Sequence, residues 1–222
     1  MEPASTKPVA LIPWTWAIPT GKRPELLVFA AALALFNLPL LQGEVFTAMV
    51  LAPAAVAAGE WWRLITHPFV HVSWYHLLLD GVAFFLLYHD LAEPRRAARL
   101  GSVAAAGAGS LFVAWGTSGA VVAHGLCGLS GIAHGLMAIT ALEMIAAGRT
   151  RSDRGWGVVA FVLVIGKSAW EAISGQAFLG WLHFGLMGSP IAVSHAGGVL
   201  GGLLAWYLLP RTIVVGADVS ER

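Results

Sequence analysis

The stretch Pro190-Ile-Ala-Val-Ser-His-Ala-Gly-Gly-Val-Leu-Gly-Gly-Leu-Leu-Ala-Trp-Tyr-Leu-Leu209 decides the fold class, because its 20 residues include no Asp, Glu, Lys or Arg. About 20 apolar residues in helical conformation cross the hydrocarbon core of a bilayer. Five earlier stretches have similar length and composition, at residues 25–41, 74–91, 99–116, 129–147 and 155–173. Lipid offers exposed backbone groups no hydrogen-bond partner, so each stretch must be helical. The sequence therefore predicts an all-α membrane protein built as a bundle of six transmembrane helices.

The composition agrees with a membrane protein and excludes other classes. Of the 222 residues, 58% are hydrophobic and only 11% are charged, whereas soluble domains carry about 25% charged residues. The net charge of +1 provides no basic field for nucleic acid. The single cysteine, Cys127, excludes an internal disulfide. We expect the lipid bilayer as a partner, no nucleic acid, and no cofactor or metal.

The distribution of basic residues predicts the orientation of the bundle. Eleven of the 13 Lys and Arg residues lie in the N-terminal segment, in the loops after the second and fourth helices, at the start of the third helix, or after the sixth helix. Arg63 lies on the opposite side, in a long first outer loop, and Lys167 lies within the fifth helix. Basic loops stay in the cytoplasm. We therefore predict a cytoplasmic segment 1–24, a membrane domain 25–210 and a cytoplasmic tail 211–222.

Polar side chains gather near the outer ends of three predicted helices. Such groups are costly inside a membrane and therefore mark candidate functional sites. They are His76 and Asp80 on the second helix, Ser130 and His134 on the fourth, and Ser194 and His195 on the sixth. Three helices thus bring hydroxyl, imidazole and carboxyl groups to one depth of the membrane.

Ser130 lies in Gly128-Leu129-Ser130-Gly131, at the predicted start of the fourth helix. Flanking glycines allow close approach of other backbone, and N–H groups at a helix start can face an anion. A serine in this position is also a common helix N-cap. The motif by itself is compatible with either a nucleophile or a cap.

His195 begins a run in which Gly198 and Gly202 share its helix face, which predicts a groove for a neighbouring helix. The alternative is a buried histidine beside a helix-packing stripe. A serine needs a base to become a nucleophile, and His195 is the candidate for Ser130. The oxyanion of the intermediate would then need donors, for which the backbone N–H of Ser130, the imidazole of His76 and residue 80 are candidates.

Taken together, these motifs resemble the rhomboid family across residues 59–209. The resemblance rests on Trp62-Arg63 in the long outer loop, His76-x-x-x-Asp80 on the second helix, Gly128-Leu129-Ser130-Gly131 on the fourth, and His195-x-x-Gly198-x-x-x-Gly202 on the sixth. It implies a rhomboid-like six-helix fold and an intramembrane serine endopeptidase with a Ser130–His195 dyad. The residues expected to support the site or its oxyanion are His76, Asp80, Gly128, Leu129 and His134.

The resemblance also implies substrates and a location. Substrates would be single-span membrane proteins, and the enzyme would be a multi-pass protein of the bacterial inner membrane with its site toward the outer face. His134, together with Lys167 and Glu171 on the fifth helix, is similar to the rhombosortase branch, which processes bacterial proteins bearing Gly-Gly-type C-terminal anchors. Lys167 and Glu171 are four residues apart. We favour a structural ion pair between them over binding of a substrate carboxylate.

Asp80 departs from the family, which has asparagine at this position. An ionised carboxylate would repel an oxyanion, unless Asp80 is protonated or pairs with His76 and holds it as a donor, which we prefer. The departure favours one alternative, a non-proteolytic rhomboid-like protein that binds membrane segments. A second alternative is a proton-coupled transporter using Asp80, His76 and Glu171. Cys127 as nucleophile and a zinc site of loop histidines are weaker alternatives.

Overall fold

The computed structural model describes residues 23–148, 150–184 and 186–212 of the chain. Its α-helices are α1 (Glu25–Phe36), α2 (Pro53–Ala57), α3 (Arg63–Thr66), α4 (Trp74–Asp90), α5 (Arg96–Thr117), α6 (Gly119–His124), α7 (Ser130–Ala147), α8 (Arg151–Ser174) and α9 (Val193–Leu208). Short 3-10 helices cover Leu38–Gln42, Thr47–Met49, His67–Phe69 and Gly180–His183. Most of the predicted cytoplasmic segment 1–24 and tail 211–222 lies outside the described residues.

The six predicted membrane helices correspond to α1, α4, α5, α7, α8 and α9. Within the described residues, four spans are long and apolar enough to cross a bilayer: Glu25–Gln42, Arg96–Thr117, Ser130–Ala147 and Arg151–Ser174. Helix α4 is preceded by Arg63–Phe69 at an angle of 96°, as in a broken or re-entrant span. Helix α9 has 16 residues, about 24 Å at 1.5 Å per residue. The helical membrane bundle is confirmed, and six remains the predicted number of spans.

Apolar and polar side chains are distributed as expected in lipid. Large apolar side chains such as Leu27, Ile173 and Tyr207 point outward and are at least 75% exposed. The interior contains Phe84 and Tyr88, both fully buried, together with many polar groups. Because lipid can solvate the apolar exterior, the folded chain can use its interior for polar contacts.

Helix α9 lies between α5 and α7, and glycines allow this close packing. Four of its glycines lie where a β-carbon would collide with backbone of a neighbouring helix: Gly198 with Gly131 and Gly202 with Gly135 on α7, and Gly197 with Gly109 and Gly201 with Ala105 on α5. Small residues at such spacing let helix backbones meet in a membrane. The groove predicted from Gly198 and Gly202 faces α7, and a second groove on α9 faces α5.

The helix ends that carry the basic residues meet at one end of the bundle, here called the basic end. The Arg99 guanidinium pairs with the buried carboxylate of Glu25. Arg23 donates to the backbone carbonyl of Leu91 at 2.7 Å. Glu93, between α4 and α5, accepts the backbone N–H of Thr212 at 2.9 Å, which joins this loop to the chain after α9. The ends of four membrane helices are thereby tied together.

Arg63 organises the long loop between α1 and α4. Its Nη1 donates to the carbonyls of Thr47 and Val50, both at 2.6 Å, and its Nε donates to Glu60 at 2.8 Å. Trp62 lies at the surface and donates to the carbonyl of Ala48 at 3.1 Å. The predicted signature residues therefore shape this loop and do not enter the site described below.

The same loop supports the start of α7. Leu51 and Leu126 exchange two backbone hydrogen bonds of 3.0 Å, and the N–H of Gly128 donates to the carbonyl of His67 at 3.2 Å. A β-carbon on Gly125 would approach the carbonyl oxygen of Leu51 to 2.7 Å. These contacts place the chain just before Ser130 against a rigid support.

Candidate active site

Ser130 is the first residue of α7, at the end of the bundle opposite the basic end, here called the site end. Leu129 precedes it and is fully buried, which fixes the start of the helix. Gly128 has φ of +100°, a conformation that a residue with a β-carbon rarely adopts. The backbone therefore turns sharply before Ser130 and leaves its hydroxyl on the inner side of the bundle.

His195, in the first turn of α9, meets the Ser130 side chain. The His195 Nε2 atom lies 3.0 Å from Ser130 Oγ, within hydrogen-bond distance. Two helices that are distant in sequence reach this separation because Gly198 of α9 packs on Gly131 of α7. The hydroxyl and imidazole predicted to form a dyad are thus adjacent in the structure.

A third side chain, which sequence reasoning did not assign to the dyad, contacts the other side of the His195 ring. Glu171 Oε2 lies 2.7 Å from His195 Nδ1. Glu171 lies in the last turns of α8 and is 1% exposed. The sequence held one indication of this contact: Glu171 lies near the outer end of the fifth predicted helix, at the depth of Ser130 and His195.

His134 and Lys167 complete this side of the site. The His134 ring stacks on the His195 ring, with centroids 4.0 Å apart and planes inclined by 9°. His134 Nδ1 lies 2.7 Å from the carbonyl oxygen of Ser130, and its Nε2 lies 2.8 Å from Lys167 Nζ. Lys167 Nζ also donates to both oxygens of Glu171, at 2.7 and 2.8 Å. His134 therefore lies beside His195 and away from His76.

His76 and Asp80 form the opposite wall of the site. Asp80 Oδ2 lies 3.2 Å from His76 Nε2 and 3.5 Å from Nε2 of His71, which belongs to the loop just before α4. A β-carbon on Gly128 would lie 2.8 Å from His76 Nε2 and 2.9 Å from Asp80 Oδ2. Asp80 therefore lies near two imidazoles, where the sequence predicted only that of His76. Because Gly128 has no side chain, it leaves room for His76 and Asp80.

A cavity of about 550 Å³ opens onto these side chains. Ser130, His195 and His76 contribute polar atoms to its wall, and the loop between α8 and α9 contributes Phe178 and Leu182. That loop is tied to the start of α4, because Ser73 Oγ donates to the carbonyl of Leu186 at 2.5 Å and the Tyr75 hydroxyl donates to that of Leu182 at 3.3 Å. The cavity therefore lies between the Ser130 side chain and this loop.

In the part of the chain that the structure describes, two groups of side chains have the donor types and spacing of a metal site. Each offers three ligand atoms within 4.8 Å of one another: His71, His76 and Asp80 in one group, and His134, Glu171 and His195 in the other. In the second group, Lys167 Nζ already contacts both Glu171 and His134. An ammonium ion at this position would repel a metal cation, so only the first group has the electrostatics of a metal site.

Cys127 lines the same cavity but does not have the properties of a reactive thiol. Burial, with a smaller contribution from the nearby Asp80 carboxylate, raises the pKa of the Cys127 thiol to about 12. Reactive cysteines have pKa values lowered by neighbouring positive charge or helix N-termini. The environment of Cys127 is that of a structural residue.

Comparison with known protein families gives one match. A family model described as the Rhomboid domain matches residues 58–212. The matched region runs from α3 to the end of α9 and includes every side chain described in this site. Comparisons with curated proteins and with solved structures give no match.

Proposed function

The chain belongs to the rhomboid family, whose members are intramembrane serine proteases, and from this premise we propose that it cleaves membrane proteins with Ser130 as nucleophile and His195 as general base. The observation that carries the proposal is the 3.0 Å separation of Ser130 Oγ and His195 Nε2 at the wall of a 550 Å³ cavity. Such a contact is the geometric requirement for activating a serine hydroxyl.

The proposed first step forms an acyl-enzyme. Ser130 Oγ attacks the carbonyl carbon of the scissile peptide while its proton passes to His195 Nε2, and the carbonyl π electrons move to the oxygen. When the tetrahedral intermediate collapses, the C–N bond breaks and His195 returns the proton to the leaving amine. Water then attacks the ester with His195 again as base, which releases the acid and regenerates the Ser130 hydroxyl.

The oxyanion of the intermediate would be stabilised from the wall opposite Glu171. The backbone N–H of Ser130 is one donor, because the first N–H groups of a helix have no intrahelical partner. The His76 imidazole is the second donor, and its Nε2 atom lies 3.2 Å from the Asp80 carboxylate, so a proton on Nε2 would face both this carboxylate and the oxyanion. Gly128 leaves the space that this wall needs. Donors of this kind often make the largest single contribution to acyl transfer.

The substrates proposed are single-span membrane proteins cut near the end of their membrane segment. The cavity lies at the site end, whereas Arg23 and Arg99 pair with backbone carbonyls and with the Glu25 carboxylate at the basic end. Arg63 in the long loop and Lys167 at the site lie outside the basic end. By the preference of basic loops for the cytoplasm, the site would face the outside of a bacterial inner membrane, with both termini inside. His134 and Lys167 at the site support the rhombosortase branch, and thus C-terminal Gly-Gly-type anchors as substrates.

The test is cleavage of a co-expressed single-span protein carrying a glycine-rich C-terminal anchor. Ser130→Ala and His195→Ala are each expected to abolish release of the soluble domain. The matched controls are Ser152→Ala and His89→Ala, exposed residues at the basic end whose loss should leave cleavage unchanged. If Ser130→Ala and His195→Ala both cut at the wild-type rate, the proposal is wrong.

A second candidate function is a non-proteolytic protein that holds membrane segments. The observation that favours it is the Asp80 carboxylate beside Gly128, in the wall where the oxyanion would form. A fluorophosphonate probe separates the two functions, because it reacts only with an activated serine. Labelling that disappears in Ser130→Ala supports the protease, whereas no labelling of the folded wild-type protein supports the binding function.

A further inference from the structure

Glu171 presents a carboxylate with an unusual number of partners. It is 1% exposed, and a buried charge in a membrane is stable only when it is fully compensated. Lys167 Nζ donates to both oxygens, at 2.7 and 2.8 Å, and the backbone N–H of Phe178 donates to Oε1 at 2.8 Å. His195 Nδ1 lies 2.7 Å from Oε2 and completes the set. Every direction around the carboxylate is therefore used by a donor.

The contacts on the two sides of the His195 ring define its tautomer. Nδ1 faces an ionised carboxylate and must carry a proton, so Nε2 is free to accept the hydroxyl proton of Ser130. We infer that Glu171 is the positioning residue of a Ser130–His195–Glu171 triad, which acts through His195 and not on the substrate. This inference rests on the proposed protease function and extends it beyond a two-residue dyad.

Lys167 is part of this arrangement, although it also lines the cavity. An ammonium group has three donors, and those of Lys167 are matched by Glu171 Oε1, Glu171 Oε2 and His134 Nε2. The lysine keeps the carboxylate ionised, while His134 stacks on the ring that the carboxylate orients. The ion pair between Lys167 and Glu171 thus stabilises α8 and also fixes the carboxylate that contacts His195.

The chemistry expected of Glu171 is electrostatic. When His195 Nε2 takes the proton of Ser130 Oγ, the ring becomes an imidazolium whose Nδ1–H points at the Glu171 carboxylate. The proton on Nδ1 stays on the ring, and Glu171 remains an anion throughout the cycle. Its negative charge lowers the energy of the imidazolium and of the transition state that leads to it.

The first experiment measures kcat, KM and pH dependence in the purified full chain. Glu171→Gln is expected to lower kcat by about 10³- to 10⁴-fold with little change in KM. The pH at which the remaining rate reaches half its plateau should also fall, because the imidazolium has lost its anionic partner. Glu143→Gln is the control, since Glu143 is a buried carboxylate of α7 at the basic end, bonded to the N–H of Ala92 at 2.8 Å. A wild-type kcat and pH profile in Glu171→Gln would overturn the inference.

A second variant separates a triad from a structural ion pair. Replacing a buried pair by apolar residues often leaves stability unchanged, so the double variant Lys167→Met with Glu171→Met should remain folded. A folded double variant that has lost cleavage supports the triad, and one that cleaves at the wild-type rate contradicts it. Ser130→Ala is measured alongside. If that variant still cleaves, the proposed function itself has failed, whereas an inactive Ser130→Ala beside a fully active Glu171→Gln removes only the triad.

Discussion

The backbone carbonyl of Gly131 lies in the space that a β-carbon on Gly198 would require. Gly131 follows Ser130 directly, and Gly198 lies one helical turn after His195. The closest approach of α7 and α9 therefore occurs beside the two side chains that are 3.0 Å apart. The distance between Ser130 and His195 therefore depends directly on how closely α7 and α9 pack.

Gly198→Ala should remove activity by separating these helices. A β-carbon at this position meets backbone, which cannot move aside as a flexible side chain can. Overpacking a well-packed interior costs about 1–3 kcal/mol, and we expect a lower melting temperature in detergent and a loss of cleavage. Gly166→Ala, on α8 with no atom within 4 Å of its added β-carbon, is the matched control. Equal activity of the two variants would contradict the packing argument.

His76→Ala should reduce the rate of the chemical step. If His76 donates to the oxyanion, its loss lowers kcat by about 10²–10³-fold and leaves KM little changed, because the contact forms only in the transition state. Steady-state kinetics on a peptide or anchored substrate measure both constants. A rise in KM at unchanged kcat would instead place His76 in substrate binding.

Asp80 should support His76 in spite of its charge. Two imidazole nitrogens, of His76 and His71, lie within 3.5 Å of its Oδ2 atom. Asp80→Ala removes the carboxylate near both rings and should lower kcat, while Asp80→Asn, which introduces the residue that the family resemblance predicts here, should retain more activity than Asp80→Ala. A higher kcat in Asp80→Ala than in the wild type would show that the carboxylate acts mainly by repelling the oxyanion.

Cys127→Ala should leave proteolysis intact. With a pKa of about 12, the Cys127 thiol is not ionised at neutral pH and cannot compete with Ser130 as the nucleophile. Fluorophosphonate labelling and substrate cleavage should both persist in the variant. Loss of labelling in Cys127→Ala, with Ser130 unchanged and the protein folded, would identify the cysteine as the reactive group.

Glu93 should make the stability of the basic end depend on pH. Burial favours a raised pKa, but hydrogen bonds from Arg95 and from the N–H of Thr212 outweigh it and lower the pKa of Glu93 from 4.5 to about 2. A carboxylate whose pKa is lowered by folding adds to the free energy of unfolding. This contribution is complete above the pKa of the unfolded state and disappears as the pH falls through the pKa of the folded state. It should therefore decline between pH 4.5 and about 2.

Glu93→Gln tests this dependence through melting temperatures in detergent. At pH 7 the variant should melt about 2–6 °C below the wild type, as expected for the loss of one hydrogen-bonded charge. The difference should shrink as the pH is lowered toward 2, where the wild-type carboxylate becomes protonated. A difference that is constant over this range would mean that Glu93 acts through packing and not through its charge.

The sequence was sufficient for the helices and for part of the site. Long apolar runs predicted the membrane helices to within a few residues, because the bilayer imposes both their length and their conformation. Polar residues in those runs pointed to Ser130, His195 and His76, because a membrane interior makes every polar group conspicuous. The family was also apparent from the motifs and their order, and it is confirmed by the match over residues 58–212.

The sequence did not predict that His71 lies beside Asp80 or that Glu171 contacts His195. His71 lies in a loop in the sequence, but in the structure it is fully buried beside Asp80. Glu171 has Lys167 four residues away, and this local pair accounted for its charge without reference to His195. The contact with His195 was therefore missed, because the spacing of residues on one helix can be read from a sequence and the approach of two helices cannot.

The sequence by itself determined that this chain lies in a membrane and which segments are helical. It also identified the polar side chains within those helices as candidate functional residues. The tertiary structure alone decided that His195 of α9 contacts Ser130 of α7 at 3.0 Å and Glu171 of α8 at 2.7 Å. The physical reason is that a lipid environment acts on each segment separately, whereas the distance between helices depends on how glycines such as Gly198 and Gly202 let their backbones meet.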